Sequence, residues 1–252
     1  MDFRDILKNE LEKGFLVLGK SLGGEKLVVD IKATPSIIIT GETGSGKSIL
    51  LDQILLELIS EYTSLEMGLI LVDTSGVELN YYESTNYPVF KAINDLDKSI
   101  VALSKVLQEI DRRKNLLKQS GKTTIYEYNE GSEEKEPLLV IAIDDDKFLL
   151  REEDTEKMLS GIISQLAGLN IMFLLATSDV HNKFFESDKN VFASLLISFD
   201  YTNESESEKN NIEGSNNLEI GAFLAKSKNE VYKYRNFDFS DEIIKEVLHL
   251  DE

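Results

Sequence analysis

Residues 35–62 read PSIIITGETGSGKSILLDQILLELISEY, and this stretch limits the fold more than any other part of the chain. Residues 36–40 are apolar and β-branched between Pro35 and Gly41, as a buried parallel strand should be. Residues 41–48, GETGSGKS, meet every fixed position of the phosphate-binding loop pattern. Beyond them Leu51, Leu55, Leu58 and Tyr62 recur at helical spacing. Glycines let such a loop curl so that successive N–H groups converge on an anion, and the helix N-terminus adds its partial positive charge. A glycine turn without a ligand is the alternative reading, and the strand–loop–helix context argues against it.

The expected nucleotide cradle is therefore Gly41, Glu42, Thr43, Gly44, Ser45, Gly46, Lys47, Ser48 and Ile49. Lys47 is placed to act on the β- and γ-phosphates, and the Ser48 hydroxyl to ligate Mg²⁺. ATP with Mg²⁺ is the expected cofactor pair. Residues 138–144, LLVIAID, form an apolar run ending in an acid, which suits Asp144 to hold the metal opposite Ser48. Asp145 then stands where a general base would polarise an attacking water. Asp144, Asp145 and Asp146 also admit a plainer reading as solvated turn acids. Ser178, after the run NIMFLLAT, is a candidate γ-phosphate sensor, or else a hydroxyl that caps a turn.

Composition narrows the setting. The chain of 252 residues, 42% of them hydrophobic, has enough apolar content for one large core. It has no cysteine, hence no disulfide framework. No apolar run reaches the roughly 20 residues that cross a bilayer. A cytoplasmic setting is expected, with any membrane association through partners. The formal net charge of −19 opposes binding to a polyanion such as DNA unless basic residues are concentrated locally.

Strands expected at 67–73, 138–143, 170–177 and 195–199 alternate with helices expected at 95–118 and 155–169. This implies an α/β fold with a mainly parallel sheet covered on both faces. Gly41, Asp73, Asp144 and Thr177 should meet at the carboxyl edge of that sheet. Ahead of the core, a helix at 2–13 and a hairpin of strands 15–18 and 27–31 suggest an appendage over residues 1–34, with the main domain over 35–252. Residues 128–136 read as an acidic loop and 202–217 as a mobile one. Terminal strands are expected at 222–225 and 231–234, then a helix at 241–248. Lys98, Lys105, Arg112, Arg113 and Lys118 share the polar side of the long helix, as a solvated face or as a site for a polyanion. His181 and His249 read as surface residues.

Several landmarks go beyond the loop. Residues 18–30 contain a glycine-bearing hairpin, and Thr43, Gly44 and Ser45 complete PSIIITGETGSGKS. Leu71-Val-Asp73 is followed by Glu78, Leu79 and Tyr82, then Ile110-Asp-Arg-Arg113, Tyr128-Asn129, LLVIAIDDD and LLATSD. Together, over residues 15–180, the chain resembles the FtsK/SpoIIIE family of RecA-like motor ATPases. The resemblance implies a RecA-like ATPase core, an assembly into rings of six, and hydrolysis coupled to moving a polymer. DNA is the usual cargo, and relatives in secretion systems move proteins.

The chain departs from the family at informative places. Asp145 replaces the usual Glu, Ser178 the usual Gln, and Ser75 a Lys. No arginine occurs between Arg151 and Arg235, so an arginine for a neighbour's site is not apparent. Three readings follow: a DNA translocase, a degenerate ATP-binding subunit with little hydrolysis, or an ATPase of a protein-secretion machine.

Overall fold

A computed structural model describes residues 3–7, 12–73, 76, 79, 81–82, 85–87, 89–93, 95–145, 153–178, 193–202, 212, 214–227 and 230–249, with backbone alone at 89–93, 145 and 227. Along the chain run α1 (Phe3–Leu7), β1 (Phe15–Lys20), β2 (Lys26–Asp30), β3 (Ser36–Thr40), α2 (Lys47–Glu61) and β4 (Met67–Asp73). Then come β5 (Val89–Ile93), α3 (Leu96–Ser120), α4 (Ile125–Gly131), β6 (Leu138–Asp145) and α5 (Glu153–Ile163). The last elements are β7 (Ile171–Thr177), β8 (Leu195–Ser198), β9 (Ala222–Ser227), β10 (Glu230–Arg235) and α6 (Asp241–Leu248).

Among the described residues, ten strands join one sheet in the order β2-β1-β10-β9-β8-β3-β7-β6-β4-β5. From β8 to β5 the pairing is parallel, and from β8 back to β2 it is antiparallel. Because side chains alternate along a strand, the buried parallel strands feed two cores. Ile37, Ile39, Leu174 and Ala142 face α2, α1 and α6, whereas Ile38, Ile141, Phe173 and Leu175 face α3 and α5. This is the mainly parallel, helix-covered α/β core that the apolar runs require. The N-terminal hairpin is tied to it, since Lys20 of β1 pairs with Arg235 of β10.

Several local expectations need correction. Strand β5 has no counterpart among the expected strands, because Lys91 interrupts its short apolar run. The expected acidic loop at 128–136 begins inside α4, which the Thr124 side chain caps by accepting from the Glu127 N–H at 3.1 Å. The helix expected at 155–169 ends at Ile163, and turns occupy the residues after it. Helix α2 is buried nearly all round rather than on one stripe. Its polar residues are accordingly partnered: Asp52 Oδ1 accepts from the Tyr82 hydroxyl at 2.8 Å, and Glu57 Oε2 from the Val17 N–H at 2.8 Å.

Arg113 does not lie on a solvated face. It is buried, and its guanidinium donates to the carbonyls of Leu169, Asn170 and Pro137 at 2.8, 2.8 and 3.0 Å. Arg112 is held by Glu109 and Glu136. The readings of Ser75, Glu78, Asp146, Arg151, His181 and most of the 202–217 loop lie outside the described residues, while His249 is exposed at the end of α6. Among the described residues, no helix is long and apolar enough to cross a membrane.

Candidate functional site

The parallel register builds the site. Thr40 at the end of β3 lies beside Thr177 of β7 and Ser198 of β8. Asp145 pairs with Thr177, Asp144 with Ala176, and Asp73 with Asp144. The phosphate-loop strand and its acidic and hydroxyl neighbours thus end on one edge, as the alternation of strands and helices implies.

The loop after β3 needs its glycines for close approach. Gly41 has φ 147, and a Cβ there would stand 2.7 Å from both Phe199 Cβ and Ser45 Oγ. Gly46 has φ 116 and precedes α2, with Phe199 and Gly221 packed behind it. The N-cap of α2 is Gly46, which has no side chain to cap the helix. The Lys47 ammonium donates across the loop to the Glu42 carbonyl at 2.9 Å. The Ser48 hydroxyl donates to Asp144 Oδ2 at 3.1 Å, so the first turn of α2 meets the end of β6. Asp144 and Lys47 are both buried, while Thr43, Gly44 and Ile49 are exposed at the mouth.

The underside of the loop comes from the segment after β8 and the turn before β9. The Glu42 N–H donates to the Asp200 carbonyl at 3.0 Å, and Glu42 Oε1 accepts from the Thr202 N–H at 2.8 Å. The Gly221 N–H donates to the Ser45 carbonyl at 3.1 Å. Nothing in the sequence marks these supports, because residues 199–202 and 221 carry no pattern that points to phosphate. Ser178 follows Thr177 at the same edge and is half-buried. The backbone of Asp145 lies there too, and its side chain is outside the described residues.

The fold and this edge define the class: an α/β domain of the P-loop type. The chain belongs to the FtsK/SpoIIIE family, whose profile matches residues 6–184. It is 32% identical over 167 residues to the DNA translocase SftA of Bacillus subtilis, covering 64% of this chain and 18% of that protein. It is 28% identical over 181 residues to the DNA translocase FtsK of Oceanobacillus iheyensis, covering 67% and 23%. The chain therefore spans about a fifth of the length of these curated relatives. Among solved structures it superposes on the pCW3 conjugation coupling protein TcpA in monomer form with ATPγS. That match has a TM-score of 0.81 and 24% identity, covering all of this chain and 73% of that one. The cytoplasmic domain of the type VII secretion ATPase EccC from Thermomonospora curvata gives a TM-score of 0.80 at 20% identity, covering 99% of this chain and 32% of that one.

Proposed function

We propose that the site binds ATP with Mg²⁺ and that its hydrolysis drives DNA translocation by an oligomeric ring in the cytoplasm. The observation that carries this reading is the 3.1 Å contact between Ser48 Oγ and Asp144 Oδ2, made at the start of a helix that leaves a phosphate loop. A hydroxyl and a carboxylate so close fit Mg²⁺, which needs few protein oxygens because phosphates and waters complete its shell. Ser48 and Asp144 would hold the metal, which would supply positive charge against the charge that develops on the transferred phosphoryl group. Lys47 would leave the Glu42 carbonyl for the β- and γ-phosphates, and the N–H groups of residues 43–48 would cradle them. Asp145 is assigned to polarise the attacking water, and Ser178 to sense the γ-phosphate.

DNA as cargo is supported by family membership and by the names of the curated relatives. The net charge of −19, and the commitment of Arg112 and Arg113 to carboxylates and carbonyls of the fold, favour a second reading. In it the chain is a weakly hydrolysing subunit or the motor of a protein-secretion machine. Asp145 in place of Glu supports the weak-hydrolysis form. The test is ATP turnover with Mg²⁺, with and without DNA, beside direct nucleotide titration of wild type and Lys47→Ala. DNA-stimulated turnover is expected. Tight ATP binding with negligible turnover in both conditions would overturn the translocase in favour of the second reading. Unchanged ATP affinity in Lys47→Ala would overturn the site itself.

A further inference from the structure

Asn236, the residue after β10, is packed against the loop that leads into α2. A Cβ on Gly46 would stand 3.5 Å from its Nδ2, and a Cβ on Gly221 would stand 2.6 Å from its Oδ1. Backbone bonds run through the same place. The Asn236 N–H donates to the Gly221 carbonyl at 3.0 Å, and the Gly221 N–H donates to the Ser45 carbonyl at 3.1 Å. One residue therefore separates the carboxamide from the backbone of the phosphate loop.

Asn236 is 6% exposed, yet neither its Nδ2 nor its Oδ1 has a hydrogen-bond partner among the described residues. The Ser45 hydroxyl, inside the loop and equally buried, lacks one too. Buried donors and acceptors left unpaired are costly and call for an explanation. The conformation of the loop supplies it. The Lys47 ammonium donates to the Glu42 carbonyl at 2.9 Å, a bond it has to give up to reach the β- and γ-phosphates. Gly46, next to Lys47, has φ 116, a region that glycine enters freely and other residues do not. A shift of Lys47 therefore carries residues 45–46 with it, and these are the loop residues beside Asn236 and Gly221.

We propose that Asn236 is a positioning residue for the phosphate loop, its carboxamide unpaired while Lys47 holds the Glu42 carbonyl and hydrogen-bonded to Ser45 once Lys47 turns to the phosphates. The Ser45 carbonyl has a second lone pair beside the one that Gly221 uses, which suits Nδ2, and the Ser45 hydroxyl is a donor for Oδ1. The phosphate-binding conformation then gains bonds that the other lacks, and the carboxamide biases the loop towards it. The proposal rests on the ATP-binding reading and deepens it. It concerns the loop alone, so it holds for any ligand that carries the phosphates. Asn236 lies beyond residues 6–184, the segment matched by the family profile.

The test uses the full chain with Mg²⁺-ATP and with inorganic tripolyphosphate, and sets both affinities beside urea unfolding without ligand. Asn236→Leu replaces an unpaired amide by an apolar group of similar size. Its urea midpoint without ligand is expected to match or exceed that of wild type, because no bond is lost there. Both ligands are expected to bind roughly 3- to 10-fold more weakly, the worth of about one hydrogen bond. A lower midpoint with unchanged affinities would mean a role in packing alone and would overturn the proposal. A loss confined to ATP, with tripolyphosphate bound as in wild type, would overturn it as well, because the loop would be unaffected. Should Asn236→Leu lose stability and affinity together, a measurement on wild type decides. The side-chain amide protons of Asn236, followed by NMR, are expected to shift downfield and exchange more slowly with solvent when tripolyphosphate is added. Unmoved amide signals in a wild type that binds tripolyphosphate overturn the assignment of Asn236 and leave the ATP site standing. Failure of wild type to bind either ligand overturns the underlying site instead.

Discussion

The Ser48 hydroxyl donates to Asp144 Oδ2 at 3.1 Å, joining the first turn of α2 to the last turn-facing residues of β6. Both side chains are placed by regular structure, one by a helix start and one by a strand end, so the pair is held without relying on a loop. Asp144→Asn keeps the shape and removes the charge. It is expected to weaken the Mg²⁺ dependence of nucleotide binding about 10- to 100-fold, as for a group that acts on a metal through its ligands. Metal-free ATP binding should be retained. Titration of Mg²⁺ at fixed ATP measures this, and a wild-type Mg²⁺ profile would remove Asp144 from the metal site.

Asp145 is one methylene shorter than the Glu usual in the family. If it polarises water, its carboxylate stands back from the position a longer side chain would reach, and displacement of about an ångström can cost roughly 10²-fold in rate. Asp145→Glu is therefore expected to raise kcat with little change in ATP affinity. Single-turnover hydrolysis measures it. No increase would shift the cause of slow turnover to assembly or to a missing arginine.

Arg113 and Arg112 are adjacent in sequence and opposite in consequence. Arg113→Ala would leave the carbonyls of Leu169, Asn170 and Pro137 without their guanidinium donor, at a cost of at least about 2 kcal/mol. Arg113→Lys should recover little, since one ammonium cannot reproduce a planar fork. Arg112, with its half-exposed ion pairs to Glu109 and Glu136, should cost less than about 1 kcal/mol on truncation. Urea unfolding of the three variants checks the order.

What the sequence reveals here depends on how far apart the cooperating residues are. The loop, α2 and the acid ending β6 are legible because each is a local pattern with a chemical reason, and parallel pairing of β3, β7 and β6 then brings them to one edge. Helical spacing puts Arg113 on the polar side of α3, and spacing alone cannot show that the carbonyls of residues 169–170 and 137 surround its guanidinium. Phe199, Gly221 and Asn236 were invisible for a related reason. Phe199 reaches the phosphate loop by following β8, which pairs parallel with β3, and Gly221 and Asn236 reach it through the antiparallel pairing of β8, β9 and β10; none carries a motif of its own. Nothing local marks the polar residues of α2 as covered, because β1 and the segment after β10, which bring partners to Gln53 and Glu57, lie far away in sequence.

Glu57 on that covered face makes stability depend on pH. Burial pushes its carboxyl up to about 8, against the opposing hydrogen bonds from the Val17 N–H and Gln53. The folded chain therefore keeps a proton that the unfolded chain releases near the ordinary value of 4.5. Stability from this group is full below about pH 4.5 and is lost as pH rises towards about 8, a change on the order of a few kcal/mol. Glu57→Gln cannot titrate and keeps an acceptor for the Val17 N–H. It is expected to flatten the decline between pH 5 and 8 while leaving stability near pH 5 close to wild type. Denaturant unfolding at several pH values measures the difference between the two proteins. Parallel curves for wild type and variant would show that Glu57 is ionised in the folded chain throughout this range.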